Sequence, residues 1–304
     1  MTLRVVIAGG TGSLGLAVAE QFERRGHRVT LLTRSLKTGV KFDQVLWDGQ
    51  TPQSSWGQLL EGSILLNLAG ELVDRVPTPQ NVELLRASRV QPTAALVEAA
   101  KRWGQPTLWL QMSTLAIYGD AGDKLLDEDA APAEGPPQMA GVAKAWESAA
   151  SEAPAGRKVL LRTGIVLQPN SPALERLVTI TRRFLGGSVG NGQQWVSWIH
   201  VDDFLNALLY IVDRATMDGI VHLTSPEPVR NKDLMRSLRR VLGRPWAPPT
   251  PAILVRLGAR ILFKTDPMLG LSGRRALPVR LLGFGFAFEY PNIDEALQNL
   301  LGKS

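Results

Sequence analysis

Cysteine is absent from the 304 residues, which excludes disulfides, thiolate metal sites and cysteine nucleophiles. Histidine occurs three times, as His27, His200 and His222, too few for a multi-histidine metal site. No stretch approaches the roughly 18 uninterrupted apolar residues that a bilayer-spanning helix needs, so no membrane partner is expected. Charge is not in excess at 20% against 44% hydrophobic residues, which excludes disorder as the dominant state. There is also no long basic run. The net charge of +6 comes from scattered pairs such as Arg24-Arg25, Arg182-Arg183 and Arg239-Arg240, which read as solvated helix faces rather than a nucleic-acid surface. The first strand begins at once, which leaves no room for a signal or transit peptide and points to the cytoplasm. The length suits one large α/β domain, or a domain with a lobe.

The first half alternates between two periods. Leu3–Ala8, Arg28–Thr33, Val45–Trp47, Ile64–Leu68, Leu108–Met112 and Lys158–Arg162 are short apolar runs that read as strands. Ser13–Arg25, Thr78–Trp103 and Met139–Ala150 carry helical spacing between them. Strands alternating with helices imply right-handed crossovers and a parallel sheet. In the second half the pattern predicts helices over Ala173–Leu185, Asp202–Arg214 with Asp202 as N-cap, Asn231–Leu242 and Pro251–Phe263. Gly186–Gly192 reads as a loop, Trp195–Val201 as extended chain and Ile220–Leu223 as a last strand.

The first strand runs into Gly9-Gly10-Thr11-Gly12-Ser13-Leu14-Gly15, which opens a helix. Glycines at 9, 12 and 15 give a tight turn, a bare backbone for a pyrophosphate and a close helix, whose free N–H groups hold phosphate. The second strand ends at Thr33-Arg34-Ser35, with Lys37 beyond. A carboxylate at that end would accept from a ribose 2′-hydroxyl and mark NAD. An arginine suits a 2′-phosphate instead, which points to NADP(H). For Asp48 two readings are open: acceptor for the adenine amino group, or a turn aspartate.

The order of these motifs resembles the extended short-chain dehydrogenases/reductases. The motifs are GGTGSLG, Asn67-Leu68-Ala69-Gly70, Ser113 to Gly119, Arg162-Thr163-Gly164 and Trp198-Ile199-His200-Val201-Asp202-Asp203. The chain is most similar to an atypical subgroup of epimerase/dehydratase and nucleoside-diphosphate-sugar-epimerase-like proteins, some labelled cell-division inhibitors. Glu71 after Gly70, Ser88–Val90, Trp146-Glu147, the stretch Gly190–Asp203 and Tyr290-Pro291 carry that similarity. The resemblance implies a Rossmann doubly wound parallel sheet with a smaller C-terminal substrate lobe. It implies an NADP-binding domain over 1–165, joined by 198–224, and a substrate lobe from 166–197 and 225–304. Leu68, Ala69 and Gly70 would line the ribose and pyrophosphate, and Arg162 would join the cofactor contacts. The partner expected is a small polar molecule, such as a sugar nucleotide, and the state a monomer or homodimer.

The wider family uses a Ser or Thr, a Tyr, and a Lys four residues later, with the Tyr as general acid/base. Thr114 stands at the hydroxyl position. Counting back from Glu147, Met139 falls at the tyrosine position and Ala143 at the lysine position. Lys144 is one residue off, about 100° round a helix. Methionine transfers no proton, so two functions stay open: a reductase or epimerase with a degenerate site, and a non-catalytic NADPH-binding sensor or scaffold. Candidate catalytic residues are then Thr114, Tyr118 and Lys144. Tyr118 either substitutes as acid or packs as a pocket wall. Lys144 either reaches the nicotinamide ribose or lies on the surface. His200 is either an acid/base or a structural hydrogen-bonding group. Asn191, Gln193, Gln194, Trp195 and Trp198 offer amides and rings to a polar substrate, or form a lid packed on itself. Arg274 and Arg275 either meet a diphosphate or are solvated.

Overall fold

The structure is a computed structural model that describes residues 2–261 and 264–302. Seven parallel strands form the central sheet: β1 Arg4–Ala8, β2 Arg28–Thr33, β3 Asp43–Leu46, β4 Ile64–Asn67, β5 Leu108–Thr114, β6 Arg157–Thr163 and β7 Gly219–Leu223. Their order is β3-β2-β1-β4-β5-β6-β7, so the winding reverses between β1 and β4. That is the doubly wound Rossmann arrangement, and the reversal opens a crevice at the carboxyl ends of the strands.

Alternation in β1 shows why the sheet is covered on both faces. Val5 and Ile7 point into a core with Val18 and Phe22 of helix α1 (Ser13–Arg24), together with Phe204 and Leu208. Val6 and Ala8 point the other way, against Leu96 and Ala99 of helix α2 (Pro79–Trp103) and against Trp56 and Trp109. Full burial of each large side chain contributes roughly 1.5–3 kcal/mol. A third core joins helices α4 (Pro172–Arg182), α6 (Asn231–Val241) and α8 (Ile293–Leu301) through Leu174, Leu234, Leu238, Ile293 and Leu297. Helix α3 (Val142–Ala149) precedes these, α5 (Val201–Asp213) lies between α4 and α6, and α7 (Ala252–Ile261) precedes α8. Among the described residues no helix is long and apolar enough to cross a membrane.

Several expectations shift. Asp202 is not the cap of α5. His200 is the N-cap, with its Nδ1 accepting from the Asp202 N–H at 3.0 Å. The helix expected over Met139–Ala150 begins earlier, as a wide π-turn over Pro137–Gly141, and only then continues as α3. The extended run at Trp195–Val201 divides at Ser197. Trp195–Val196 pairs antiparallel with Val229–Arg230, while Trp198–His200 pairs parallel with Ile165–Leu167, a strand that the sequence did not signal. The helix expected over Pro251–Phe263 is α7, and positions 262 and 263 lie outside the described residues.

Candidate functional site: the crevice at the sheet edge

The glycine loop is built from three different demands. Gly9 sits at φ +75°, and a Cβ there would lie 3.0 Å from the Ala69 backbone, so only glycine brings the two loops together. At Gly15 a Cβ would stand 2.5 Å from the Gly10 carbonyl oxygen, so α1 leans directly on the loop. Gly12 is the N-cap of α1, with no side-chain cap and no acidic residue in the first turn. Its own Cβ would meet only the Gly9 oxygen, at 3.8 Å. The opening turn, Ser13, Leu14 and Gly15, therefore offers bare N–H groups at the positive end of a helix dipole.

In front of that turn lies a crevice of about 320 Å³. Gly9, Thr11 and Gly12 form one wall, Arg34, Ser35, Lys37 and Asp48 the second, and Leu68, Ala69, Gly70 and Glu71 the third. Ser88, Gln91 and Pro92 of α2 close the far side. Lys37 Nζ donates to the Thr11 carbonyl at 2.8 Å. Asp48 accepts from the Gln50 and Thr51 N–H groups, both at 2.8 Å, so its carboxylate closes a turn while remaining in the crevice wall. The Thr51 contacts hold its pKa below the usual carboxylate range.

Arg34 is 71% exposed and is not alone: its Nη2 lies 2.9 Å from Glu71 Oε1, and Arg75 approaches the other oxygen at 3.5 Å. The hydrogen bond from Arg34 holds the Glu71 pKa down. In the sequence Glu71 is visible only as part of a motif. An acid just past Gly70, opposite an arginine at the end of β2, was the available signal. The segment Ser88–Val90 also acquires a purpose. Ser88 Oγ accepts from the Glu71 N–H at 3.2 Å, and Arg89 donates to the Glu71 and Leu85 carbonyls at 2.9 and 3.0 Å. Burial pulls the Arg89 pKa to about 10. Asn67 completes the support, accepting from the Ala69 N–H at 3.1 Å and donating to Thr93 and Gln111. The third wall is therefore held from behind by buried polar groups.

At the carboxyl ends of β5 and β6 the arrangement differs. Thr114 Oγ1 accepts from the Ala116 N–H at 3.1 Å and caps the turn Leu115–Tyr118. Tyr118 is buried, with its hydroxyl 2.7 Å from Arg162 Nη1 and 2.7 Å from His222 Nε2. His222 Nδ1 lies 2.9 Å from the Leu277 carbonyl, which only an N–H can satisfy, so Nε2 is the acceptor of the phenol proton. Burial raises the Tyr118 pKa and lowers that of His222 to about 4. Arg162 also forms a two-pronged pair with Glu147, at 2.9 Å on each prong, and Ser113 Oγ donates to the same carboxylate at 2.5 Å. Burial opposes the charge on Arg162, but Glu147 outweighs it and the pKa is raised.

Arg162 and Tyr118 thus face one another inside the protein, outside the crevice wall. Lys144 is half exposed, 3.5 Å from Glu134. Met139 and Ala143 are both buried. His200 is buried as well, its ring 4.0 Å from that of Tyr290 and its Nε2 3.2 Å from Asn299 Oδ1, and burial lowers its pKa. In the sequence Glu147 is visible only as part of the Trp146-Glu147 motif and as a register mark, and His222 carries no motif at all. Neither had a local signal, because their partners lie 15 and 104 residues away.

Comparison with known proteins agrees with this geometry. Residues 5–221 match the NAD dependent epimerase/dehydratase family, and residues 250–300 match a domain of unknown function, DUF1731. The chain is 30% identical to the epimerase family protein YfhF of Bacillus subtilis over 306 residues, covering 98% of each. It is 31% identical to the epimerase family protein ML0860 of Mycobacterium leprae, over 96% of this chain and 94% of that protein. The human epimerase family protein SDR39U1, solved with NADPH, superposes with a TM-score of 0.87 at 25% identity, over 98% of this chain and 99% of that one.

Proposed function

We propose, from the premise that this chain belongs to the NAD dependent epimerase/dehydratase family, that it binds NADPH in the crevice and presents it to a small polar substrate. The observation that carries this reading is the fit of the crevice to a dinucleotide phosphate. A glycine-rich loop leads into an uncapped helix N-terminus, and Arg34 and Lys37 line the same crevice. The human relative solved with NADPH supports the same choice of cofactor.

The backbone of Gly9, Thr11, Gly12, Ser13, Leu14 and Gly15 receives the pyrophosphate. Leu68, Ala69 and Gly70 present a small-residue surface to the adjoining ribose. Arg34 turns from Glu71 to the 2′-phosphate, and Asp48 stands at the adenine end. Bound NADPH supplies a hydride donor. Thr114 orients a substrate oxygen at the end of β5, while Arg162 positions that end from behind through Glu147 and Tyr118. Tyr118 keeps its proton, donates it in a hydrogen bond to His222 Nε2, and has no path to a substrate. Residues 1–165 with 198–224 form the cofactor half, and 166–197 with 225–304 the substrate half.

A second reading, a cofactor-reporting protein without turnover, is favoured by Met139 and Ala143 at the family's tyrosine and lysine positions. Assays of NADPH oxidation against a panel of ketones and nucleotide sugars separate the two. Turnover supports the oxidoreductase. Its absence beside tight binding supports the sensor.

Calorimetry on wild type and Arg34→Ala tests the cofactor assignment. Wild type should prefer NADPH to NADH, and the variant should lose roughly 1.5–3 kcal/mol of NADPH binding with little change for NADH. A wild type without preference, or a variant that keeps it, removes Arg34 from the site.

A further inference from the structure

Position 139, where the family's acid/base tyrosine belongs, has a charged neighbour. Arg274 follows the single helical turn Met268–Leu271, and its Nη2 donates to Met139 Sδ at 3.2 Å and to Ser272 Oγ at 3.2 Å. Its Nε is buried without a partner. The backbone holds the residue rigidly: its N–H donates to the Trp195 carbonyl at 3.0 Å, and its carbonyl accepts from Ser197 Oγ at 2.9 Å. A Cβ on the preceding Gly273 would lie 2.4 Å from the Trp195 nitrogen, so only glycine lets these strands approach so closely.

Arg162, Arg230 and Arg89 have partners that match their charge or their donors, while the adjacent Arg275 lies over the Trp195 ring at 4.6 Å with its own Nε unpartnered. Arg162 has Glu147. Arg230 lies over the Trp195 ring, at 4.0 Å, and pairs with Asp123 at 2.7 Å. Arg89 donates to two backbone carbonyls. Among the described residues no carboxylate pairs with Arg274. Asp120 is the acid whose charge acts on it, and Asp120 Oδ1 is occupied by the Gly273 N–H at 3.0 Å. A thioether and a hydroxyl are weak acceptors for a guanidinium. A largely buried cation held this way is costly until a counter-charge arrives, and the fork of a guanidinium matches an oxyanion.

We propose that Arg274, set against the position vacated by the tyrosine, binds an oxyanion of the substrate, a carboxylate or a phosphate group. The proposal rests on the reading of the crevice as the cofactor site of the same active centre. It makes the substrate anionic and gives the missing phenol a replacement that holds charge but donates no proton. It also accounts for Met139: an apolar, polarisable side chain packs beside the guanidinium without competing for it.

The test uses the NADPH-loaded protein with oxalate and inorganic pyrophosphate as probes, followed by calorimetry and thermal melting. NADPH affinity is measured separately, so failure of the cofactor reading is seen on its own. Wild type should bind one of the two probes. Oxalate as the tighter ligand identifies a carboxylate, and pyrophosphate identifies a phosphate. Arg274→Met should weaken that binding roughly tenfold to a hundredfold, with NADPH affinity unchanged, and Arg274→Lys should recover part of it. Without probe, Arg274→Met should melt no lower than wild type, since it removes an unpaired charge. With probe, only wild type should gain stability. Three results each overturn the proposal: no probe binding by NADPH-loaded wild type at millimolar concentration, equal probe binding by Arg274→Met, or a melting temperature for that variant several degrees below wild type.

Discussion

At the end of β1 the helix-opening N–H groups of Ser13, Leu14 and Gly15 have no side-chain cap, whereas at the ends of β5 and β6 the side chains of Ser113, Tyr118, Glu147 and Arg162 face one another. Both regions lie on the same carboxyl edge of one parallel sheet. The first is prepared for a ligand because its donors are backbone N–H groups that no side chain can reach. The second has spent its donors internally. The difference separates a backbone surface open to a ligand from a side-chain network closed on itself. The binding geometry rests on glycine placement, while the catalytic geometry, in the reading proposed above, rests on two positions that Met139 and Ala143 fill in this chain.

Breaking the second region should disturb the fold and spare the cofactor. Arg162→Met leaves Glu147 without its counter-charge, with the two side chains only 4% and 14% exposed. Urea denaturation should show a loss of about 3–5 kcal/mol. A loss within the range of surface substitutions, below about 0.5 kcal/mol, would contradict the network.

Acid should attack the same region. His222 is depressed from 6.5 to about 4 by burial, and burial lowers His200 as well. As pH falls from about 6.5 to about 4 the unfolded chain takes up protons that the folded one refuses. For His222, stability present above pH 6.5 is therefore lost in that window, by up to ~1.4 kcal/mol per pH unit, and His200 acts with the same sign. In an NMR titration the His222 imidazole should stay neutral until near pH 4. Titration at its ordinary value would mean that the ring is not held between Tyr118 and Leu277.

How much was legible follows the same division. The strand-loop-helix at Leu3–Arg25 was readable because its glycines act locally, and the run Asn67–Gly70 because small residues at a strand end have a positional meaning. Arg34 was readable as a cation, but its pairing with Glu71 joins residues 37 apart. The wide turn at Pro137–Gly141 was hidden because a helical period does not reveal where a turn holds an extra residue. Asp202 looked like a cap by residue type, yet the imidazole of His200 reached the N–H groups first. The fate of Arg162 was set by Glu147, which only the packing of α3 against β5 and β6 brings near.

The first region has its own, smaller adjustment. Glu71 holds Arg34, and in the proposed site its charge would repel an arriving 2′-phosphate. Glu71→Gln keeps the hydrogen bond and removes the charge. Because Arg34 is well exposed, the NADPH affinity should rise only roughly twofold to fivefold, with NADH unchanged. A fall in NADPH affinity would show that Glu71 helps to place the phosphate site.

The most direct measurement sets the two regions side by side: NADPH titrated calorimetrically into Gly12→Val and Arg162→Met. A Cβ at Gly12 meets nothing closer than 3.8 Å, so the fold tolerates it, but the added side chain occupies the crevice wall. Gly12→Val should lose only about 1 kcal/mol of stability, as a poorer N-cap, and roughly tenfold to a hundredfold in NADPH affinity. Arg162→Met should lose stability and keep its affinity. The reverse pattern, binding intact in Gly12→Val and lost in folded Arg162→Met, would contradict the placement of the cofactor.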